Sequence, residues 1–286
     1  MLFIAGSIIV IICTLGGYAA MGGYLSVLWQ PFEVVIICGA ALGGYVIANQ
    51  PAVLKKTLGA VKEASKGQRF SKKDYVELLS LLYMTFKLSK TKGMLALEQH
   101  IENPEESSLF QQFPGVANNE QALTFLRDYL RLMSLGTEDP HTLEDLMDEE
   151  IETHHKEQHR LSHAMQALAD TLPALGIVAA VLGIIKTMGS ITEPPEVLGG
   201  LIGGALVGTF LGVWLSYGFA APVARAMAER YDEESRYYQC MKAGLLAHLH
   251  GYAPAVSVEF ARKALFHDDR PDFYELEEAT NALPPA

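Results

Sequence analysis

The sequence predicts an all-α integral membrane protein. Four transmembrane helices are expected, the third and fourth extended as cytoplasmic stalks, together with a helical cytoplasmic domain. Three observations carry this expectation. The 286-residue chain is 50% hydrophobic and only 19% charged. Its apolar residues gather in four runs, 2–20, 34–49, 172–191 and 199–221, each close to the ~17–25 residues that cross the hydrocarbon core. The loops 21–33 and 192–198 contain no Lys or Arg, whereas Lys55, Lys56, Lys62, Lys66, Arg69, Lys72 and Lys73 follow the second run and Arg225 and Arg230 the fourth. The positive-inside rule then places both termini and the middle of the chain in the cytoplasm.

Taken in order, the expected elements are a transmembrane hairpin at 1–50, a cytoplasmic helical domain at 51–170, a second hairpin at 171–222, and a cytoplasmic stalk with an acidic tail at 223–286. The first run has no basic leader and a second span follows soon after, so it reads as a span and not a signal peptide. In the cytoplasmic domain, Ser71 and Asp74 form a capping-box pattern before "YVELLSLLYMTF". Asn118 is expected to open a second helix that Gly136 ends. Asp139 caps a third, with Pro140 in its first turn. No breaker follows until Pro173, so this helix should run into the third span. The fourth span should continue past Pro222 and end at Gly251. No strand alternation or 20–50-residue repeat is present.

The net charge of −11 argues against nucleic acid as a partner. Cys13, Cys38 and Cys240 have no CxxC spacing and read as small apolar residues. No Walker loop, GxGxxG, GxSxG or HExxH occurs, so an enzyme is not expected. His155, His159 and His163 recur at i, i+4, i+8, a spacing compatible with a metal, but no Cys or convergent acid completes a site, so no metal is expected.

Glycines at 200, 204, 208 and 212 form a ridge on the fourth span, with Gly39 and Gly43 repeating the spacing on the second. Such ridges let helix backbones approach closely in lipid, within one subunit or between subunits. The first and fourth spans contain no Asp, Glu, Lys, Arg or His. Glu33 is placed at the edge of the second span, Asp170 at the mouth of the third. Lys186 is sixteen residues deeper, roughly 24 Å along a helix, within reach of the far interface. No carboxylate is expected near the midplane, and Thr209 is the main hydroxyl there. A proton or sodium carrier needs an intramembrane acid or an equivalent oxygen cage, so either this chain does not conduct ions or a partner supplies the acid. Pro173 and Pro222, near span ends, are hinge candidates.

The segments "SKTKGMLALEQHIENPEES", "LADTLPALGIVAAVLGIIKTMGSI" and "GGALVGTFLGVWLSYGFAAPVA" resemble the MotA family, the larger component of the bacterial flagellar motor stator, across nearly the whole chain. The resemblance implies an inner-membrane, multi-pass homopentamer around a dimeric MotB-type partner. That partner is anchored to peptidoglycan and supplies the ion-binding Asp, while the ring drives the rotor switch protein FliG. It implies that Pro173 in "TLPALG" lies beside the partner's acid and that Pro222 is the second family proline. Glu98 in "LALEQH" matches the acidic member of a rotor-facing charged pair. The basic member, usually Arg, falls at Lys90, with Lys87 and Lys92 nearby; Lys keeps the charge but not the bidentate geometry. Sodium-type relatives carry Thr seven residues after the proline, where this chain has Ala180. With Thr209 as a lone hydroxyl, that favours protons over a sodium-coupled stator. A motor component of the ExbB/TolQ type is the nearest alternative; those chains usually have three spans. The roles of Asp170 and Lys186 stay open.

Overall fold

The structure, a computed structural model, describes residues 2–136 and 139–284. Every regular element among them is helical. The first, α1 (Leu2–Ala20), is apolar on all sides and buries nothing within the chain. It contains one wide π-turn at Ile12–Gly16. A 3-10 turn at Leu25–Leu28 precedes α2 (Pro31–Ala48). Helix α2 starts three residues before the sequence pattern suggests because Pro31 takes the first helical position, where a missing N–H costs nothing.

The next helices are α3 (Pro51–Ala64), α4 (Lys72–Lys92) and α5 (Leu95–Glu102). The expected capping box is present: Asp74 accepts from the Ser71 backbone N–H at 2.6 Å. Helix α6 (Glu120–Ser134) begins one residue later than expected. Asn118 closes the one-turn helix Pro114–Ala117 through its N–H to the Pro114 carbonyl. Asn119 is thereby left as the cap, accepting from Ala122 N–H.

Asp139 does cap α7 (Pro140–Met188), a single 49-residue helix with Pro173 inside it. After α8 (Pro195–Leu215), a π-turn at Ser216–Ala220 leads without a break into α9 (Ala221–Leu249). Gly251 then adopts φ +84°, a conformation glycine adopts without steric cost. Helices α10 (Pro254–Lys263) and α11 (Phe273–Asn281) close the chain. Among the described residues, four helical stretches are long and apolar enough to cross a membrane: Leu2–Ala20, Leu25–Ala48, Pro140–Met188 and Pro195–Leu249.

The chain divides into two compact units. One comprises Met1–Gly67 and Glu157–Tyr231. Its small core joins Ile37 and Ala41 of α2 to Ala169, Leu172 and Ala179 of α7. A second cluster sets Ala64 of α3 against Val223, Met227 and Tyr231 of α9. Arg230 ties the end of this unit together, donating to the Gly67 carbonyl at 2.8 Å.

The other unit, Gln68–Lys156 and Asp232–Ala286, has a conventional core. Leu78, Leu79, Leu81, Leu82 and Phe86 of α4 are fully buried in it. Phe70 stacks on Tyr237 with ring centroids 4.2 Å apart. Arg69 pairs with the buried Glu234. The charge that burial would otherwise strand is thus partnered.

Candidate functional site

The site grows from a bond that proline cannot make. Pro173 has no N–H, so the carbonyl four residues back, on Ala169, loses its helical donor. In a span that carbonyl must find another donor or cost several kcal/mol. It finds Ser216, whose buried Oγ donates to Ala169 O at 2.7 Å. Ser216 stands where it does because α8 gives way there to the π-turn Ser216–Ala220. Pro222 follows at once, and its ring would clash with the carbonyl of Gly218 in a regular helix. The wide turn relieves that clash. The two prolines therefore meet in one local structure: one frees an acceptor, the other sits beside the turn that brings the donor.

The glycines hold the two helices close enough for this bond. A Cβ added at Gly212 would lie 2.6 Å from the Leu172 carbonyl and 2.8 Å from Gly176 Cα. One added at Gly176 would lie 2.8 Å from the Gly208 carbonyl. Higher up, a Cβ at Gly183 would meet Ala205 Cβ at 2.7 Å. Part of the ridge is thus spent on packing α8 against α7 within one chain, at near-backbone distance. Gly199 and Gly200 have open space around them.

The sequence-predicted residues fall around this seam. Pro173 is half-buried and Ala180 is buried one face further along α7. A Cβ at Gly208 would lie 3.0 Å from Ala180 N, and half-buried Thr209 is the next residue. Asp170 follows the freed carbonyl in sequence; it is exposed and accepts from Gln166 Nε2 at 2.8 Å. Pro222 is exposed. Lys186 is exposed near the far end of α7. Ser216 and Gly176 were missed by sequence reasoning. Proline chemistry says that some donor must reach residue 169, but nothing in the sequence says which.

Glu33 requires a correction. Its carboxyl does not stay at the edge of the span. A Cβ at Gly208 would overlap Glu33 Oε2, and one at Gly183 would come within 3.3 Å of Oε1. Gly183 is about 8 Å from the end of α7 and Gly208 about 20 Å along α8 at 1.5 Å per residue. A carboxylate therefore does reach into the span.

Lys90 and Glu98 belong to the other unit. Glu98 is exposed on α5. Lys90 donates to the Gly251 carbonyl at 2.9 Å, while Lys87 lies over the Tyr83 ring and Lys92 is exposed. Behind Lys90, His248 stacks on Phe86 at 4.5 Å and its Nε2 lies 3.1 Å from Ser89 Oγ. Burial, with Lys90 adding to it, pushes the His248 imidazole down to about 4. In the histidine stripe, His155 Nδ1 is 2.8 Å from Ser235 Oγ. His159 and His163 lie ring to ring at 5.9 Å. Contrary to expectation an acid does converge on the stripe, since Asp232 lies 3.9 Å from His155.

Known proteins decide the family. Residues 4–93 match the family described as Motility protein A N-terminal, and residues 117–240 match the MotA/TolQ/ExbB proton channel family. Motility protein A of Escherichia coli strain K12 is 43% identical over 283 residues, 99% of this chain and 96% of that one. The chain belongs to the MotA family. Chemotaxis protein LafT of Vibrio parahaemolyticus is 37% identical, with 95% of each chain covered. Two solved structures share the MotA fold. That of C. jejuni MotAB superposes with a TM-score of 0.78 at 18% identity, covering 95% of this chain and 98% of that one. The flagellar MotAB stator complex from Bacillus subtilis gives 0.76 at 24% identity, covering 94% and 98%.

Two predictions come from this geometry. Ser216→Ala should destabilise the detergent-solubilised protein by about 1–2 kcal/mol, the cost of an orphaned buried acceptor. In a Pro173→Ala background, where residue 173 regains its N–H, that cost should shrink to near zero in a double-mutant unfolding cycle. Equal costs in both backgrounds would break the link between Ser216 and Pro173. The second concerns pH. The folded His248 binds its proton less readily than the unfolded residue, whose ordinary value is about 6.5. The unfolded chain then binds more protons between about 6.5 and about 4, so this contribution is present above 6.5 and is lost as pH falls through that window. His248→Phe should flatten the pH dependence of the melting temperature there.

Proposed function

We propose that this chain is the ring-forming subunit of a flagellar stator that couples inward proton flow to torque on the rotor. The observation that carries this reading is the 43% identity to Motility protein A along 99% of the chain. In this reading the protein is not an enzyme but a bacterial inner-membrane component of the motility and chemotaxis apparatus. Five copies surround a MotB-type, peptidoglycan-anchored dimer that supplies the ion-binding Asp. The spans form two hairpins, both termini lie in the cytoplasm, and α7 and α9 extend there as stalks. The ring acts on a rotor switch protein of the FliG type.

The seam suggests how a proton's energy becomes movement. A continuous helix resists bending because each turn is held by its own ladder. At residues 169–173 that ladder bond is replaced by a side-chain bond from Ser216. Such a bond contributes about 1 kcal/mol net. One charge crossing the membrane releases about 2.3 kcal/mol per 100 mV. A single crossing is enough to exchange this bond, so Pro173 can hinge α7 while the Gly176–Gly212 contact stays closed. The apolar face of α7, with Ile177, Val181 and Ile184 about half exposed, suits a partner helix or lipid.

Protons are favoured as the coupling ion because Ala180 brings no side-chain oxygen and, besides the Glu33 carboxyl, Thr209 brings one hydroxyl, too few for a sodium cage. Motility driven by this chain and its partner should persist without sodium and stop with a protonophore. Sodium dependence would overturn the ion assignment. At the rotor, exposed Glu98 is the acidic contact, and the basic contact lies among Lys90, Lys87 and Lys92. Exposed charges steer encounters without burial. Glu98→Lys should abolish most swimming and be partly rescued by a charge reversal on the switch protein. Lys92→Ala should impair swimming more than Lys90→Ala, because the Lys90 ammonium is tethered to the Gly251 carbonyl through one of its three N–H groups. Full motility of Glu98→Lys would remove this surface from torque transfer.

A further inference from the structure

The glycine ridge does more than pack two helices; it also makes room for a carboxyl group. Glu33, Ile37 and Ala41 lie one turn apart on α2 and share the face turned to α7 and α8, with Ile37 and Ala41 buried there. At the Glu33 level, α8 offers Gly208 and α7 offers Gly183. A Cβ at Gly208 would overlap Glu33 Oε2, and one at Gly183 would crowd Oε1 at 3.3 Å. The same Gly208 position lies 3.0 Å from Ala179 Cβ and from Ala180 N. Just above, Gln30 fills the next notch, its Nε2 3.1 Å from where a Gly204 Cβ would stand. Two polar side chains, Gln30 at the cap of α2 and Glu33 in its first turn, thus insert into two successive glycine gaps of α8.

An acid in the first turn of a helix ordinarily has a bland role, favouring the helix dipole. Glu33 does not act as a cap. Its Oε2 is buried and has no hydrogen-bond partner among the described residues. The charged residues on the elements packed around it are Lys186 on the apolar stretch of α7 and Glu196 on α8, and neither is ion-paired with it among the described residues. A bare carboxylate in such a place is costly. The low-cost state is the neutral acid.

We propose that Glu33, held in the notch between Gly183 and Gly208 beside Ala180, is a proton-binding station supplied by this chain itself. Its Oε2 takes a proton from water on the outer side, becoming a neutral carboxyl that the glycine notch tolerates. It gives the same proton up again, returning to the carboxylate, as the ion moves inward. The ligand is a proton, because the Glu33 carboxyl and the Gln30 amide oxygen in the adjoining notch are too few oxygens for a cation cage. This station rests on the proton-driven reading above.

The test uses the intact complex with its partner. Glu33→Gln keeps the shape and removes the titration; Glu33→Ala removes both. A severalfold loss of speed is expected for Glu33→Gln, together with loss of the wild-type dependence on external pH. Motility should stay sensitive to protonophore in both the wild type and the variant. In the infrared spectrum of the purified wild-type complex, a protonated-carboxyl band should be present and absent in Glu33→Gln. If Glu33→Gln swims at wild-type speed with the wild-type pH profile while Glu33→Ala fails, Glu33 is a packing residue and the station is wrong. If Glu33→Gln fails to assemble, the infrared band decides: a wild-type band that does not shift in Glu33→Asp overturns the proposal. Protonophore-resistant wild-type motility would instead refute the proton-driven reading itself.

Discussion

The membrane-embedded unit depends on one hydrogen bond, from Ser216 Oγ to the Ala169 carbonyl. It exists because a proline inside a helix leaves an acceptor that lipid cannot satisfy. Satisfying it from another helix requires that helix to come very close. That explains why the facing positions 176, 208 and 212 are all glycine: at two of them a methyl group would collide with backbone on the other helix, and at Gly208 it would collide with Glu33. It also accounts for the π-turn, which presents Ser216 and accommodates Pro222. Remove the proline and the bond is unnecessary; remove the glycines and it is unreachable.

Such a bond has a functional consequence that a ladder bond lacks. A backbone bond in a regular helix is reinforced by neighbours above and below. The Ser216 bond is a single side-chain hydrogen bond laid over the glycine contact between two helices, and side-chain hydroxyls rotate. It can therefore be made and broken without unwinding either helix. In the proposed stator role, a hinge at Pro173 would use backbone that is already interrupted, and the energy of one ion crossing exceeds the strength of one such bond.

Much of this was legible in the sequence. Hydropathy located the four spans, since length and lack of charge leave few alternatives. Caps at Ser71 and Asp139 and the stop at Gly136 were readable because their chemistry is local. Family-specific segments marked Pro173, Pro222 and Glu98. The rest depended on contacts between residues distant in the chain. Ser216 looked like an ordinary small residue until Ala169 faced it. Part of the glycine ridge turned inward to α7, though sequence left packing between copies equally open. Glu33 was assigned to the edge of its span from its position in the helix, yet its side chain reaches inward along the glycine gaps. The apolar helical stretch begins at Leu25, well before Glu33, and the reach of a long side chain depends on gaps that only the packed helices create.

The chain offers a proline-interrupted helix, an apolar face and one tucked carboxyl, and in the proposed reading its partner completes the path for the ion. The most direct measurement is proton flux into liposomes reconstituted with this chain alone, and with its single-span partner. Flux only when the partner is present is the expected result. Sustained flux from this chain by itself would contradict the division of labour between a moving ring and a partner that carries the essential acid.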